Sequence, residues 1–160
     1  MFKQAVIILG VLFLLSGTAQ AQEANNKKAE RATLQRLLES KEYVFKAQSV
    51  TPMRGGFQQL MSEYDLRLLG DSLVSYLPYF GRAYTAPLDT RQNGIQFTST
   101  EFEYVVKPKK KGWDISFRPK DVSSVQQLHL NVTASGRATL QVISTNREPI
   151  SFNGMIVARR

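Results

Sequence analysis

A single histidine, His129, and a complete lack of cysteine limit the chemistry open to this chain. Without thiols there is no thiolate nucleophile and no thiolate-ligated metal. One imidazole excludes His-rich metal sites and any mechanism that uses two histidines. A Ser-His-Asp arrangement needs only one, but no Gly-x-Ser-x-Gly elbow is present. His129 also falls on the outward phase of its expected strand, where a solvated side chain is the plain reading. Two carboxylate pairs have a spacing suited to acid–base work: Glu63 with Asp65, and Glu101 with Glu103. The i, i+2 spacing places each pair on one face of a strand, and in both cases it is the polar face. No phosphate-cradling glycine loop or calcium loop appears, and the inventory calls for no cofactor and no metal.

The least ordinary segment is Tyr76-Leu77-Pro78-Tyr79-Phe80-Gly81-Arg82-Ala83-Tyr84. Four aromatic residues and an arginine are broken by a proline and a glycine. Proline cannot donate to a central ladder and glycine weakens one, so the strand must end or bulge here. Tyr76, Tyr79, Phe80, Arg82 and Tyr84 therefore emerge at a rim, where tyrosine and arginine can stack on sugars, aromatic ligands or peptides. Trp113 is a candidate neighbour. A small-ligand site of this kind requires an open cavity lined by Tyr79, Phe80, Arg82 or Tyr84. The competing reading is that the rings plug one end of the core and Arg82 is solvated.

The elements that must position this rim are read from periodicity. Ala29 to Lys41 lacks Gly and Pro and repeats Leu34, Leu37 and Leu38 on one face, which predicts a helix lying across a sheet or its open end. From Glu42 onward the period is two. Apolar residues alternate through Tyr43–Ala47, Tyr64–Leu68, Leu73–Leu77, Ile95–Ser99, Phe102–Val106, Trp113–Phe117, Leu128–Val132, Ala138–Ser144 and Ile150–Val157. Gly70-Asp71, Asn93-Gly94, Lys110-Lys111 and Ala134-Ser135-Gly136 mark turns. Pro119 to Gln126 reads as a loop with one helical turn capped by Asp121 or Ser123. The expected fold is mainly β: an antiparallel meander of about eight strands curled into a barrel or a sandwich, with one N-terminal α-helix. Short connections favour antiparallel neighbours, and a meander this long must curl to cover its apolar face.

The start of the chain reads as an export signal. Lys3 precedes an apolar run from Ala5 to Leu15, and Ala19-Gln20-Ala21 offers the small residues that a signal peptidase accepts. Eleven residues fall short of the roughly 20 needed to span a bilayer, so no transmembrane span is expected after cleavage. The organisation is then a signal peptide at 1–21, a disordered leader at 22–28 and one β-rich domain at 29–160. Without a cysteine the product carries neither a lipid anchor nor a disulfide, and its core alone must hold it. The net charge of +8 falls to +7 once Lys3 is removed. Its main cluster, Lys107 to Lys111, sits at a turn before Gly112, and an exported protein seldom meets nucleic acid. A nucleic-acid partner is not expected; a solvated hairpin, or a patch for anionic lipid or acidic polysaccharide, fits better.

The stretch S-E-Y-D-L-R-L-L-G-D-S-L-V-S-Y-L-P-Y-F-G-R-A-Y (Ser62 to Tyr84) resembles a family of uncharacterised exported proteins from gut and oral Bacteroidetes, domain of unknown function 4251. G-I-Q-F-T-S at Gly94, K-K-K-G-W-D-I at Lys109 and N-R-E-P-I-S-F-N-G at Asn146 are similar to the same family. The resemblance implies a signal peptide followed by a β-rich domain, and it implies no catalytic residue. Some members are lipoproteins; this chain departs from them in having no cysteine. The sequence is thus read as a periplasmic or extracellular, non-enzymatic β-domain that binds a small ligand or an envelope component. The alternatives are a small carboxylate-dependent hydrolase of envelope polymers and a structural envelope subunit. Mass spectrometry of the exported protein is expected to place its N-terminus at Gln22; a product that keeps Met1 to Ala21 would overturn the signal-peptide assignment.

Overall fold

The computed structural model describes residues 25–84 and 94–159. A helix, α1 (25–39), is followed by nine strands. These are β1 (Glu42–Pro52), β2 (Gln58–Leu69), β3 (Ser72–Pro78), β4 (Gly94–Ser99), β5 (Phe102–Lys109), β6 (Gly112–Pro119), β7 (Val125–Thr133), β8 (Arg137–Ser144) and β9 (Ile150–Ala158). The helix begins at residue 25, earlier than the leucine spacing predicts, so the last four residues of the expected disordered leader are helical. Residues 1–24, including the expected signal segment, lie outside the described residues, as does Asn93 of one expected turn.

All nine strands form one antiparallel sheet in the order β4-β3-β2-β1-β9-β8-β7-β6-β5. Two meanders, β1–β4 and β5–β9, are joined by pairing of the first strand with the last, from Tyr43 opposite Ala158 to Pro52 opposite Ile150. The sheet curls into a half-barrel, which decides between the barrel and sandwich alternatives in favour of one curled sheet. Its edge strands β4 and β5 are not paired with each other, yet only Thr100 and Glu101 separate them in sequence. A link this short spans no more than about 10 Å, so the two edges converge at that corner.

Alternation fills the interior. Phe45, Leu66, Leu73, Leu77, Phe117, Leu128, Leu140, Val142 and Phe152 are completely or almost completely buried. Each phenylalanine or leucine so placed contributes about 1.5–3 kcal/mol relative to exposure. A bulge after Ala47 shifts the phase of β1, so that both Ser49 and Val50 are buried. Gly154 stands opposite Ala47 at the bulge, and a Cβ there would run into the Lys46 carbonyl oxygen. Glycine is what lets β9 approach β1 this closely. Gly70, at φ 65°, makes the two-residue turn between β2 and β3, and its amide donates to Lys41 O.

Helix α1 covers one end of the half-barrel with Leu34 and Leu38. The Arg31 guanidinium donates to Lys109 O and Lys110 O at 3.0 and 2.9 Å, tying the helix to the lysine hairpin. Tyr104 donates to Leu38 O at 3.2 Å, so the Tyr43 hydroxyl, 3.2 Å from that of Tyr104, is left as the donor between them. Burial, and then the Tyr104 neighbour, push the Tyr43 phenol well above its ordinary range.

At the β4–β5 corner the expected helical turn is absent. Asp121 instead accepts from the Ser99 hydroxyl, from the Thr100 amide at 2.8 Å and from the Glu101 amide at 3.3 Å. Those amides belong to a tight turn and need an acceptor, so the aspartate serves the corner instead of capping a helix. The Ser99 hydroxyl, followed by the Thr100 amide, holds the Asp121 carboxyl below the ordinary aspartate range. A depressed carboxylate stabilises the fold above its unfolded pKa, about 3.9, and that contribution is lost as pH falls through the folded value. Asp121→Asn is expected to lower the urea midpoint at neutral pH, with the gap to wild type closing as pH drops below about 4. A gap that persists in acid would show that the carboxylate charge is not what secures the corner.

Candidate functional site

Beyond the paired residues, three connections meet at the end of the half-barrel opposite α1. Pro52 pairs with Ile150, and Val50 with Gln58, so residues 53–57 project as a hairpin tip beside 145–149, which lead into β9. The third connection is 79–84, which leaves β3 at Pro78. Ala83 bridges Arg147, Tyr84 N donates to Asn146 O at 2.9 Å, and Glu148 N donates to Arg82 O at 3.1 Å. These contacts fasten 82–84 to 146–148 as a short two-stranded clip.

Tyr79 locks the clip from inside. Its hydroxyl donates to Arg82 O at 2.7 Å and lies 3.1 Å from Glu148 O, while the Arg147 guanidinium sits 4.9 Å above its ring. Burial, followed by the Glu148 carboxylate, pushes the Tyr79 phenol up despite the opposing Arg147 charge. The hydroxyl can fold back because residue 81 is glycine: a Cβ there would lie 2.5 Å from the phenolic oxygen. Arg147 also donates to Gly94 O at 2.9 Å and so pins the start of edge strand β4. Glu148 is buried, with Oε1 3.6 Å from Arg54 Nε; Oε2 has no hydrogen-bond partner among the described residues.

Of the residues singled out in the sequence, Tyr79, Phe80, Arg82 and Tyr84 share this rim. Tyr79 faces inward, while Phe80 and Tyr84 are 47% and 69% exposed. Tyr76 lies on the outer face of β3, stacked on Tyr64 at 5.7 Å. Trp113 is not a neighbour. It is buried at the helix end, with Arg31 5.3 Å over its ring. In register it aligns with Val132, Ala138 and Gly154, whereas Ile150, next to the rim, aligns with Val142 and Leu128. Arg54, Arg147 and Glu148 also belong to the rim; the sequence places Arg147 and Glu148 in a turn, Asn146 to Pro149, and does not single out Arg54. Their signal was the repeated placement of charge beside proline or glycine in Arg54-Gly55 and Glu148-Pro149.

Among the described residues, Tyr79, Phe80, Arg82 and Tyr84 line none of the best-formed cavities. A polar trough of about 650 Å³ on the outer sheet face is lined by Asp114, Ser116, Gln127, His129, Asn131 and Gln141. A pocket of about 90 Å³ beneath β4 shares only Arg147 with the rim. Three of the four carboxylates considered for acid–base work are engaged by cations: Glu63 by Lys46 at 3.5 Å, Asp65 by Arg67 at 2.9 Å, and Glu103 by Lys120 at 3.0 Å. The Lys120 hydrogen bond holds Glu103 below its ordinary range, the reverse of what a general acid requires. No helix among the described residues is long and apolar enough to cross a membrane.

Residues 25–156 match the family model described as Domain of unknown function (DUF4251). The chain is also similar to the crystal structure, at 1.95 Å resolution, of a DUF4251 family protein from Bacteroides eggerthii DSM 20697. The identity is 13% and the TM-score 0.60, covering 81% of this chain and 88% of that one. At that identity the likeness concerns the fold. No curated protein matches. Replacing Tyr79 by Phe, which keeps the ring and removes the clasp, is expected to cost about 1 kcal/mol in urea unfolding with an unchanged m-value; full wild-type stability would show that the clasp does not hold the rim.

Proposed function

The chain belongs to the DUF4251 family, and from that premise we propose that it is an exported, non-enzymatic domain of the cell envelope that binds a partner through the rim of Tyr79, Phe80, Arg82 and Tyr84. One observation carries this reading: the rim backbone is fastened by the clip and the Tyr79 clasp, yet Phe80 and Tyr84 are left in solvent. Isolated exposed apolar side chains are ordinary, but several together on a held loop mark an interaction surface. Export is supported by the order of charge, apolar run and small residues from Lys3 to Ala21. The hydrolase reading draws less support, because each of its two carboxylate pairs has at least one member engaged by a lysine or arginine.

A photo-reactive phenylalanine analogue at Phe80 or Tyr84, irradiated in living cells, is expected to give a covalent adduct with an envelope component. The same probe at Val105 or Met155, exposed positions on other parts of the sheet, is expected to give none. Adducts formed only at Val105 or Met155, or equally at all four positions, would move the binding surface away from the rim. An adduct of twice the chain mass would favour the structural-subunit alternative.

A further inference from the structure

Resting on the reading that this rim binds, we propose that its partner is an anionic phospholipid surface, met by the three loop tips 53–57, 79–84 and 145–149. Met53 and Phe57 are each 65% exposed at the hairpin tip, beside the exposed rings of Phe80 and Tyr84. The Arg54–Glu148 contact joins the hairpin to the clip, so these four side chains belong to one end of the molecule. Between Met53 and Phe57 stand Gly55 and Gly56, which carry no side chain of their own. Met53, Arg54 and Phe57 are therefore the side chains that this tip presents to solvent. Side chains of this kind enter the boundary between headgroups and acyl chains, where aromatic rings are favoured.

Charge supports the same occupant. The three tips contain Arg54, Arg82 and Arg147 against one acid, Glu148. Arg54 and Arg82 are exposed, whereas Glu148 is buried behind Arg54. Among the described residues, the outward side of the rim is therefore apolar and cationic. A guanidinium offers a fork of donors that suits phosphate oxygens. The other basic cluster, Lys107 to Lys111, lies at the α1 end against Arg31. If charge alone recruited the protein, both ends would serve; of the two, the rim is the one that presents Met53, Phe57, Phe80 and Tyr84 beside its charge.

The test uses the exported protein and unilamellar vesicles, with binding read by co-sedimentation. Vesicles of phosphatidylglycerol with phosphatidylethanolamine are expected to bind it, phosphatidylcholine vesicles to bind it weakly, and added salt to release it. Arg54→Gln and Arg82→Gln should each weaken binding about fivefold, and Phe57→Ser about tenfold. The charge-matched pair Lys110→Gln with Lys111→Gln should leave binding close to wild type. Fluorescence of Trp113, the only tryptophan and buried at the far end, confirms in each variant that the fold is kept. Equal binding to both lipid mixtures, or equal losses from the lysine and arginine pairs, would overturn the proposal. If vesicles are not bound but rim probes still form adducts with a glycan or protein in cells, the membrane partner is wrong and the binding rim stands. If neither is seen, both fall.

Discussion

The pairing of β1 with β9 is the contact on which the rest of the molecule depends. Without it the chain is two separate meanders, each with an apolar face and two open edges. With it, nine strands become one sheet whose curvature lets Phe45, Phe117 and Phe152 share an interior. The pairing is bought at a specific place. β1 carries a bulge after Ala47, and β9 answers with Gly154, where any larger residue would meet the Lys46 carbonyl. A single glycine thus controls whether the two halves of the chain can meet at full contact.

The two ends of the half-barrel are finished by different means. At one end α1 lays two leucines over the opening and is tied down by Arg31 and by the hydroxyl relay through Tyr43 and Tyr104. At the other, the described residues include no helix. The closure there comes from loops that hold one another through backbone hydrogen bonds, with Tyr79 and Arg147 reaching across them. The first solution combines packed leucines with a few polar ties. The second uses polar groups and leaves aromatic side chains over, which is why the binding surface is sought at the rim. The sides differ too, since β4 and β5 keep unpaired edges; Pro108 and the lysines of β5 make that edge a poor template for another chain.

Much of this was legible in the residues. The period-two alternation located the strands, and the nine apolar-alternating segments correspond to β1 through β9. The leucine triad 34, 37 and 38 located the helix, and Pro78 with Gly81 announced the end of β3 and the start of the rim. What periodicity does not encode is which strands are neighbours. The β1–β9 pairing joins strands at opposite ends of the domain's sequence, from Tyr43 with Ala158 to Pro52 with Ile150, and nothing in either strand names the other. Trp113 was placed with the rim for the same reason: aromatic content says that a side chain is worth burying, while register decides at which end. Asp121 was assigned to a helix cap because its residue type suits one, but the exposed amides of the β4–β5 turn were the stronger claimants. Arg147 and Glu148 were read as turn residues since their work is done through partners on β4 and on the rim.

The closing pair also sets an order of events. A chain that becomes available from its first residue onward presents β1 early and β9 last. Hairpins such as β2–β3 and β5–β6 can form locally and quickly, but β1 must keep one of its ladder edges vacant until nearly the whole sequence is present. Until then the inner face of every strand remains accessible to water, to chaperones and to other copies of the chain. The domain is therefore committed to its native form only by its C-terminal residues, and a protein interrupted before β9 would lose cohesion far out of proportion to the length removed.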